Sequence, residues 1–227
     1  MLKKTKGIVI GYLKYRDSSI IVQVFTREIG LKSYIVNSVR STKAKSKMAL
    51  YQPLTLLDLV VYDKEYRNIH RISEARLDHT FVLLPFDFRR TGIALFMVET
   101  LNKCITEHYQ NNALFDFLHK LIRELDSEQA NLGIFPLAYL VQLTSYLGFE
   151  PENAQQFYEQ LPINRAGSNH HTKSELLTML ITQGLNGNKT FPSSLKREMM
   201  DDLLVFYQIH LENFGEVKSL PVLRSLM

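Results

Sequence analysis

Basic side chains with no acidic neighbours stand in the first quarter of the chain, where their chemistry suits a polyanion. Arg40, Lys43, Lys45 and Lys47 fall within eight residues that contain no Asp or Glu. Small and polar residues separate them, so segment 38–49 predicts a flexible cationic loop that follows a phosphate backbone. Binding through such a loop tolerates any base sequence and weakens steeply with salt, because its free energy comes from released counterions. A solvated loop without a partner is the alternative.

Aromatic and basic residues also interleave near the start of the chain. Tyr12 and Tyr15 flank Lys14, and Tyr34 lies two residues from Lys32. On a single strand, a base stacks on a ring while a neighbouring cation meets the phosphate. The alternative is that these tyrosines close the ends of a barrel with their hydroxyls at the surface. The residues predicted to contact nucleic acid are Lys14, Arg16, Arg27, Lys32, Tyr34, Arg40, Lys43, Lys45 and Lys47.

The distribution of charge along the chain agrees with this placement. The net charge is +4, but residues 1–80 carry +8 and residues 81–227 carry −4. Such asymmetry favours a polyanion partner for the first part of the chain. The single cysteine, Cys104, excludes a disulfide framework and a multi-cysteine zinc site, and is interpreted as a small buried residue.

Short period-two patterns place the basic residues on or between β-strands. Gly30 stands where a hairpin needs a residue that tolerates positive φ. Three strands, a basic loop and two more strands are the order expected of a small closed barrel that binds nucleic acid. The fold class predicted is therefore α+β with two domains, a five-stranded OB-type β-barrel over 1–80 and an all-α helical domain over 81–227. The predicted strands cover 7–12, 19–24, 31–35, 54–62 and 69–77.

Helical spacing begins near residue 80 and continues to the end of the chain. Asn111 or Asn112 is predicted to cap the second helix, a capping box over 172–175 to begin the fifth, and Gly215 to stop the last long one. Pro136 either marks the first turn of the third helix or kinks it. The predicted helices cover 87–109, 113–125, 132–147, a short stretch through Phe157 and Tyr158, 173–182, 193–214 and one further turn within 216–227.

The sequence shows no catalytic motif. It lacks the phosphate-binding glycine loops, the G-x-S-x-G elbow and the H-E-x-x-H zinc motif. The adjacent His170 and His171 suggest a metal only weakly, since neighbouring side chains diverge and no other soft ligand is near. Glu198, Asp201 and Asp202 are interpreted as a solvated, dipole-stabilised helix face, with a metal-dependent hydrolase as the alternative. We predict no metal, no cofactor and no enzymatic activity.

Localisation follows from the absence of long apolar segments in the sequence. No apolar run approaches the roughly 18 to 20 residues that span a bilayer, and the N-terminus lacks the apolar core of a signal peptide. We therefore predict a cytoplasmic protein without a membrane or small-molecule partner.

Four stretches follow one another along the chain: GIVIGYLKYRDSSIIVQVFTREIG, SVRSTKAKSK with ALYQPLTLLDLVVY after it, YLVQLTSYLGFEP and VKSLPVLRSL. Together they resemble the RecO family of bacterial recombination mediators. The resemblance implies an OB-fold followed by a helical domain, and a nucleoid-associated, non-catalytic role. It implies that the protein binds single- and double-stranded DNA and anneals complementary strands. It also implies that the protein engages the C-terminal tail of single-stranded-DNA-binding protein and, together with RecR, helps RecA load during RecF-pathway repair. A scaffold whose barrel engages a protein or RNA, with no annealing role, is the alternative.

The resemblance also bears on particular residues. By position it gives Arg40, Lys43, Lys45 and Lys47 the DNA-binding role. Many relatives carry a four-cysteine zinc module after the L-G-[FY] motif, whereas residues 151–174 contain no cysteine, so zinc is predicted absent. A docking groove for an acidic, aromatic-ended tail needs apolar side chains with a cation at the rim. The residues predicted for this groove are Phe117, Lys120, Leu121, Arg123, Tyr139 and Leu143.

Overall fold

A computed structural model describes residues 1–39, 45–63, 68–162 and 169–226 of the chain. Its strands are β1 (Leu2–Tyr15), β2 (Ser19–Thr26), β3 (Gly30–Val36), β4 (Leu56–Tyr62) and β5 (Ile69–Leu77). Its helices are α1 (Lys45–Ala49), α2 (Phe88–Cys104), α3 (Asn112–Leu125), α4 (Phe135–Leu147), α5 (Ala154–Gln160), α6 (His170–Gln183), α7 (Ser193–His210) and α8 (Leu220–Leu226), with a 3₁₀ turn at Gly184–Asn186. The predicted fold class, a five-stranded OB-type barrel followed by helices, is confirmed.

The strands close into a barrel in the order β1-β2-β3-β5-β4. The long strand β1 makes closure possible, because its first half pairs with β4 and its second half with β2. Strands β3 and β5 pair in parallel, which is where the chain crosses over after the basic segment. Apolar side chains fill the interior: Val9, Ile20, Val22, Val24, Tyr34, Leu57, Leu59 and Val61.

Gly7 lies where the barrel interior has no room for a side chain. A Cβ on Gly7 would stand 2.6 Å from Val24 Cγ1 and 2.7 Å from Leu59 Cδ1. A bulge between Val9 and Gly11 then shifts the alternation of β1, so that Val9 and Tyr12 both pack towards the interior. The simple alternation read from residues 7–12 is thus interrupted by the bulge, which lets one strand serve two neighbours.

Gly30 has the positive φ predicted for it, at 77°. It begins β3, and the next residue exchanges backbone hydrogen bonds with segment 105–111. Leu31 N donates to Tyr109 O at 2.9 Å, and His108 N donates to Leu31 O at 3.1 Å. A Cβ on Gly30 would lie 2.5 Å from Tyr109 O. Both the backbone conformation and the approach of this carbonyl therefore require glycine.

Replacing Gly30 by alanine should lower the free energy of unfolding by about 1–3 kcal/mol, because strained φ and the clash with Tyr109 O add together. Urea denaturation measures the change. Gly11→Ala is the matched control, since a Cβ there meets nothing within 4 Å and the φ of Gly11 is not positive. Equal stabilities for the two variants would contradict this account of Gly30.

The described chain divides into two compact units. The first unit comprises 1–82 and 105–126, and the second comprises 83–104 and 127–227. Helix α3 belongs to the first unit because it covers the outer face of the barrel. The Phe115 ring lies 5.9 Å from that of Phe25, and Tyr109 lies 6.4 Å from Phe25. A single division at residue 80 stays a prediction, while segment 105–126 packs with the barrel.

Several helix ends differ from those predicted. Helix α2 ends at Cys104, since the residues after it pair with β3. Helix α6 already begins at His170, which rules out the capping box at 172–175, and α7 ends at His210, before Gly215. The cap of α3 is Asn111, whose Oδ1 accepts from Leu114 N. In α4, Pro136 stands in the first turn and Gly148 ends the helix with φ 84°.

Helix α4 forms the centre of the second unit, as its nearly all-round apolar sequence predicts. The Tyr139 hydroxyl lies 3.1 Å from Thr100 Oγ1 and donates to Met97 O, which ties α4 to α2. The Tyr207 hydroxyl donates to Leu140 O at 2.7 Å, which ties α7 to α4. Within the described residues, no helix is both long and apolar enough to cross a bilayer.

Candidate nucleic-acid interface

The β1–β2 hairpin and the start of the predicted basic segment 38–49 meet at one end of the barrel, which we call the basic end. The β1–β2 hairpin carries Lys14 and Arg16, both exposed. Val39 N donates to Ser18 O at 3.0 Å, and Val36 pairs with Ile20, so the chain leaving β3 returns to this hairpin. The predicted basic segment therefore begins beside Lys14 and Arg16.

Part of the predicted loop 38–49 is helical. Helix α1 carries the exposed Lys47, and Met48 packs against the barrel core with the buried Tyr51. These two apolar side chains hold the segment against the barrel and explain why it is not wholly a loop. Residues 40–44, with Arg40 and Lys43, and the side chain of Lys45 lie outside the described residues.

Tyr34 is a correction to the predicted DNA-binding residues. Its side chain is 1% exposed and lies inside the barrel, with its ring 5.9 Å from that of His70. Burial also raises the pKa of the Tyr34 hydroxyl. The ring fills the core and cannot stack on a base. Its neighbour Lys32 is half-buried.

Arg27, which is predicted to contact DNA, forms an ion pair within its own unit. Its Nε and Nη2 donate to the two carboxylate oxygens of Asp116 on α3, at 2.7 and 2.8 Å. This contact raises the pKa of Arg27 and lowers that of Asp116. The guanidinium is therefore satisfied by a carboxylate within the unit. Arg27 follows β2, at the opposite end of that strand from the basic end.

A cleft of mixed charge surrounds Arg27 on this other end of the barrel. Lys6 lies 3.2 Å from Asp58 and also forms an ion pair with Asp78. Burial raises the pKa of Asp78, but hydrogen bonds from Lys6 and His119 outweigh it and leave the pKa lowered. Cations and carboxylates neutralise one another here. The residues that line the cleft are Lys4, Thr5, Lys6, Arg27, Glu28, Asp58, Leu59, Val60, Glu74, Arg76, Phe115, Asp116 and His119.

Tyr62 and Arg71 are candidate contacts that the sequence did not reveal. They are cross-strand partners on β4 and β5, so their side chains share the outer face of the barrel. Tyr62 is 43% exposed, and Arg71 is exposed. An exposed ring beside a cation suits a single strand. Arg71 follows Tyr62 by nine positions, and the strand register brings the two side chains together.

Comparison with known proteins identifies the family. A family model described as "Recombination protein O N terminal" matches residues 1–81, and one described as "Recombination protein O C terminal" matches residues 85–221. The chain belongs to the RecO family. A DNA repair protein RecO of Phocaeicola vulgatus is 32% identical over 243 residues, covering 100% of this chain and 99% of that protein. One of Flavobacterium psychrophilum is 32% identical over 234 residues, covering 98% of each.

The peptide groove predicted from the RecO resemblance loses three of its members. Leu121, Tyr139 and Leu143 are at most 3% exposed and pack in the cores of their units, so they do not line an open groove. Lys120 and Arg123 are exposed and Phe117 is half-buried on α3. For Phe117, Lys120 and Arg123, a role in binding the tail remains a prediction.

The acidic group on α7 is not the solvated face that was predicted. Asp202 is 3% exposed and accepts from Lys173 Nζ at 2.7 Å. Asp201 pairs with Arg224, and Glu198 accepts from Asn169. These contacts give the three carboxylates structural partners in this RecO-family chain. Among the described residues, no group of three or more His, Cys, Asp or Glu is arranged to hold a metal ion.

Proposed function

We propose that this chain is a non-catalytic, DNA-binding recombination mediator of RecF-pathway repair, acting in the cytoplasm at the nucleoid. It binds single- and double-stranded DNA through the basic end of the barrel and anneals complementary strands. With RecR it helps RecA load onto DNA coated by single-stranded-DNA-binding protein, whose C-terminal tail it engages. Membership of the RecO family, and its similarity to relatives named DNA repair protein RecO, support this role.

The observation that carries the proposal is the unequal pairing of cations at the two ends of the barrel. Lys6 and Arg27 are matched by carboxylates at one end. At the basic end, Lys14 and Lys47 are exposed and form no ion pair with any described residue. Asp17 is the sole acid of the β1–β2 hairpin. A polyanion is therefore attracted to one end and not to the other.

Replacing Lys43, Lys45 and Lys47 together by alanine should weaken binding of a single-stranded oligonucleotide by roughly ten- to a hundredfold at low salt. Each lost phosphate contact removes about 0.7 from the slope of log K against log salt, so the slope should fall by about 2. Fluorescence anisotropy at several salt concentrations measures both quantities, and circular dichroism checks the fold.

The charge-matched control replaces Lys120, Lys189 and Lys218, three exposed lysines outside the basic end. It should keep the affinity and slope of the unmodified protein. Identical titrations for the two triple variants would argue against the basic end as the binding surface. An annealing assay with complementary strands separates the mediator from the scaffold, because a scaffold binds partners without speeding duplex formation. Repeating it on strands coated by single-stranded-DNA-binding protein, with and without the coating protein's tail, tests the partner.

A further inference from the structure

Two phenylalanines at the start of α2 stand out from the surface of the second unit. Phe86 is 85% exposed and Phe88 is 71% exposed. Hydrogen bonds hold the backbone that carries them, since Phe86 N and Asp87 N both donate to Leu83 O, at 3.0 and 2.9 Å. Asp87 Oδ1 then accepts from Arg89 N at 2.8 Å and caps the helix. Aromatic side chains this exposed, on a backbone held by hydrogen bonds, are unusual on a protein surface. A partner with a flat apolar face could cover them.

Two cations, Arg89 and Lys196, belong to the same unit as the rings. Arg89 follows Phe88 and is exposed, and the half-buried Lys196 comes from the first turn of α7. Burial, and secondly the charge of Arg89, lower the pKa of Lys196. Among the described residues, no carboxylate forms an ion pair with Arg89 or Lys196. The carboxylate of Asp87 is already taken by the Arg90 guanidinium, whose Nη2 donates to Ser127 O.

We propose that Phe86 and Phe88 stack on the bases of single-stranded DNA while Arg89 and Lys196 hold its phosphates, which makes a second single-strand contact on the helical unit. The inference rests on the proposed DNA-binding function and extends it to residues outside the barrel. Every base has a flat face on which an aromatic ring can stack, but in a duplex the neighbouring base pairs cover those faces. This contact therefore selects single strands of any sequence. A peptide anchor needs a concave pocket to bury its side chains, and protruding rings offer none.

The absence of tryptophan from the chain allows a direct test. Phe86→Trp and Phe88→Trp each create a single fluorescent reporter in the full-length protein. An oligothymidylate strand should quench each reporter by roughly half, as stacking on a base does, and a blunt duplex should leave it unchanged. Leu95→Trp is the matched control, because Leu95 is 50% exposed on the same helix, and it should stay unquenched.

The alanine variants measure the contribution to affinity. Phe86→Ala with Phe88→Ala should raise the Kd for the single strand about thirtyfold or more and leave the Kd for a duplex unchanged. Arg89→Ala should weaken single-strand binding more than Lys218→Ala, which also removes one exposed charge from this unit. Both aromatic side chains are exposed, so the melting temperature should not change.

Two outcomes would overturn the inference. In the first, the protein binds the strand by anisotropy while neither tryptophan is quenched, which leaves the proposed function standing without this contact. In the second, the double alanine variant keeps its DNA affinity but loses a protein partner in pull-down, which makes the rings a protein-docking site. Absence of any DNA binding by the unmodified protein would instead count against the proposed function itself.

Discussion

Replacing Asp202 by alanine should lower the free energy of unfolding by about 3–5 kcal/mol, the cost of leaving a buried charge without its counterion. The Lys173 ammonium and the Asp202 carboxylate lie 2.7 Å apart, with side chains only 4% and 5% exposed. They join α6 to α7, and Lys173 Nζ also lies 5.6 Å from the centre of the Tyr158 ring on α5. Loss of the carboxylate therefore affects three helices at once. Urea denaturation followed by far-ultraviolet circular dichroism measures the change.

Two control variants test whether loss of the buried ion pair causes the lower stability of Asp202→Ala. Asp201→Ala breaks a pair with Arg224 whose side chains are 40% and 41% exposed, and exposed pairs contribute only about 0–1 kcal/mol. The double variant Lys173→Met, Asp202→Leu removes both charges and should recover much of the stability lost in Asp202→Ala. If Asp202→Ala proved no more damaging than Asp201→Ala, the buried pair would not be the element that joins these helices.

Replacing Phe115 by alanine should destabilise the barrel by about 3–5 kcal/mol, the range for deleting a buried ring. Phe115 is 1% exposed and sits between the Phe25 ring of β2 and the His119 ring, at 5.9 and 6.0 Å. The substitution opens a cavity between α3 and the outer face of the barrel. Hydrogen exchange of the backbone amides of β2 and β3 should therefore become faster.

The exposed Lys120 on the same helix provides the control, because Lys120→Ala removes no buried contact and should change stability by less than about 0.5 kcal/mol. Unchanged exchange of the β2 amides in Phe115→Ala, together with faster exchange in α3 alone, would show that the barrel holds its shape without the helix. That result would favour the division at residue 80 over the grouping of 105–126 with the barrel.

Local features of the fold could be predicted from the sequence because each depends on residues close together in the chain. The three period-two runs near the start of the chain became β1, β2 and β3, since alternation is a property of one strand and one face. Gly30 was predicted from the conformation its turn demands, and Asn111 from the donors that a helix start leaves open. The excess of basic residues in the first 80 positions also needs no structure to be seen.

Contacts between residues that are distant in the sequence decided whether a charged or aromatic side chain is buried, paired or exposed. Tyr34 lies inside the barrel because the register of β2 and β3 places it opposite Val22, which also lies in the core. Arg27 is neutralised by Asp116, which is 89 positions away. The sequence predicts Asp202 to be a solvated acid, but in the folded chain Lys173 on α6 donates to it.

Sequence therefore determined which segments form strands and helices, and where positive charge is concentrated. Tertiary structure decided which of those charges remain exposed, which rings reach the surface, and that α3 packs on the barrel. The physical reason is that backbone preferences act over a few residues, whereas burial and ion pairing depend on neighbours that only the folded chain supplies.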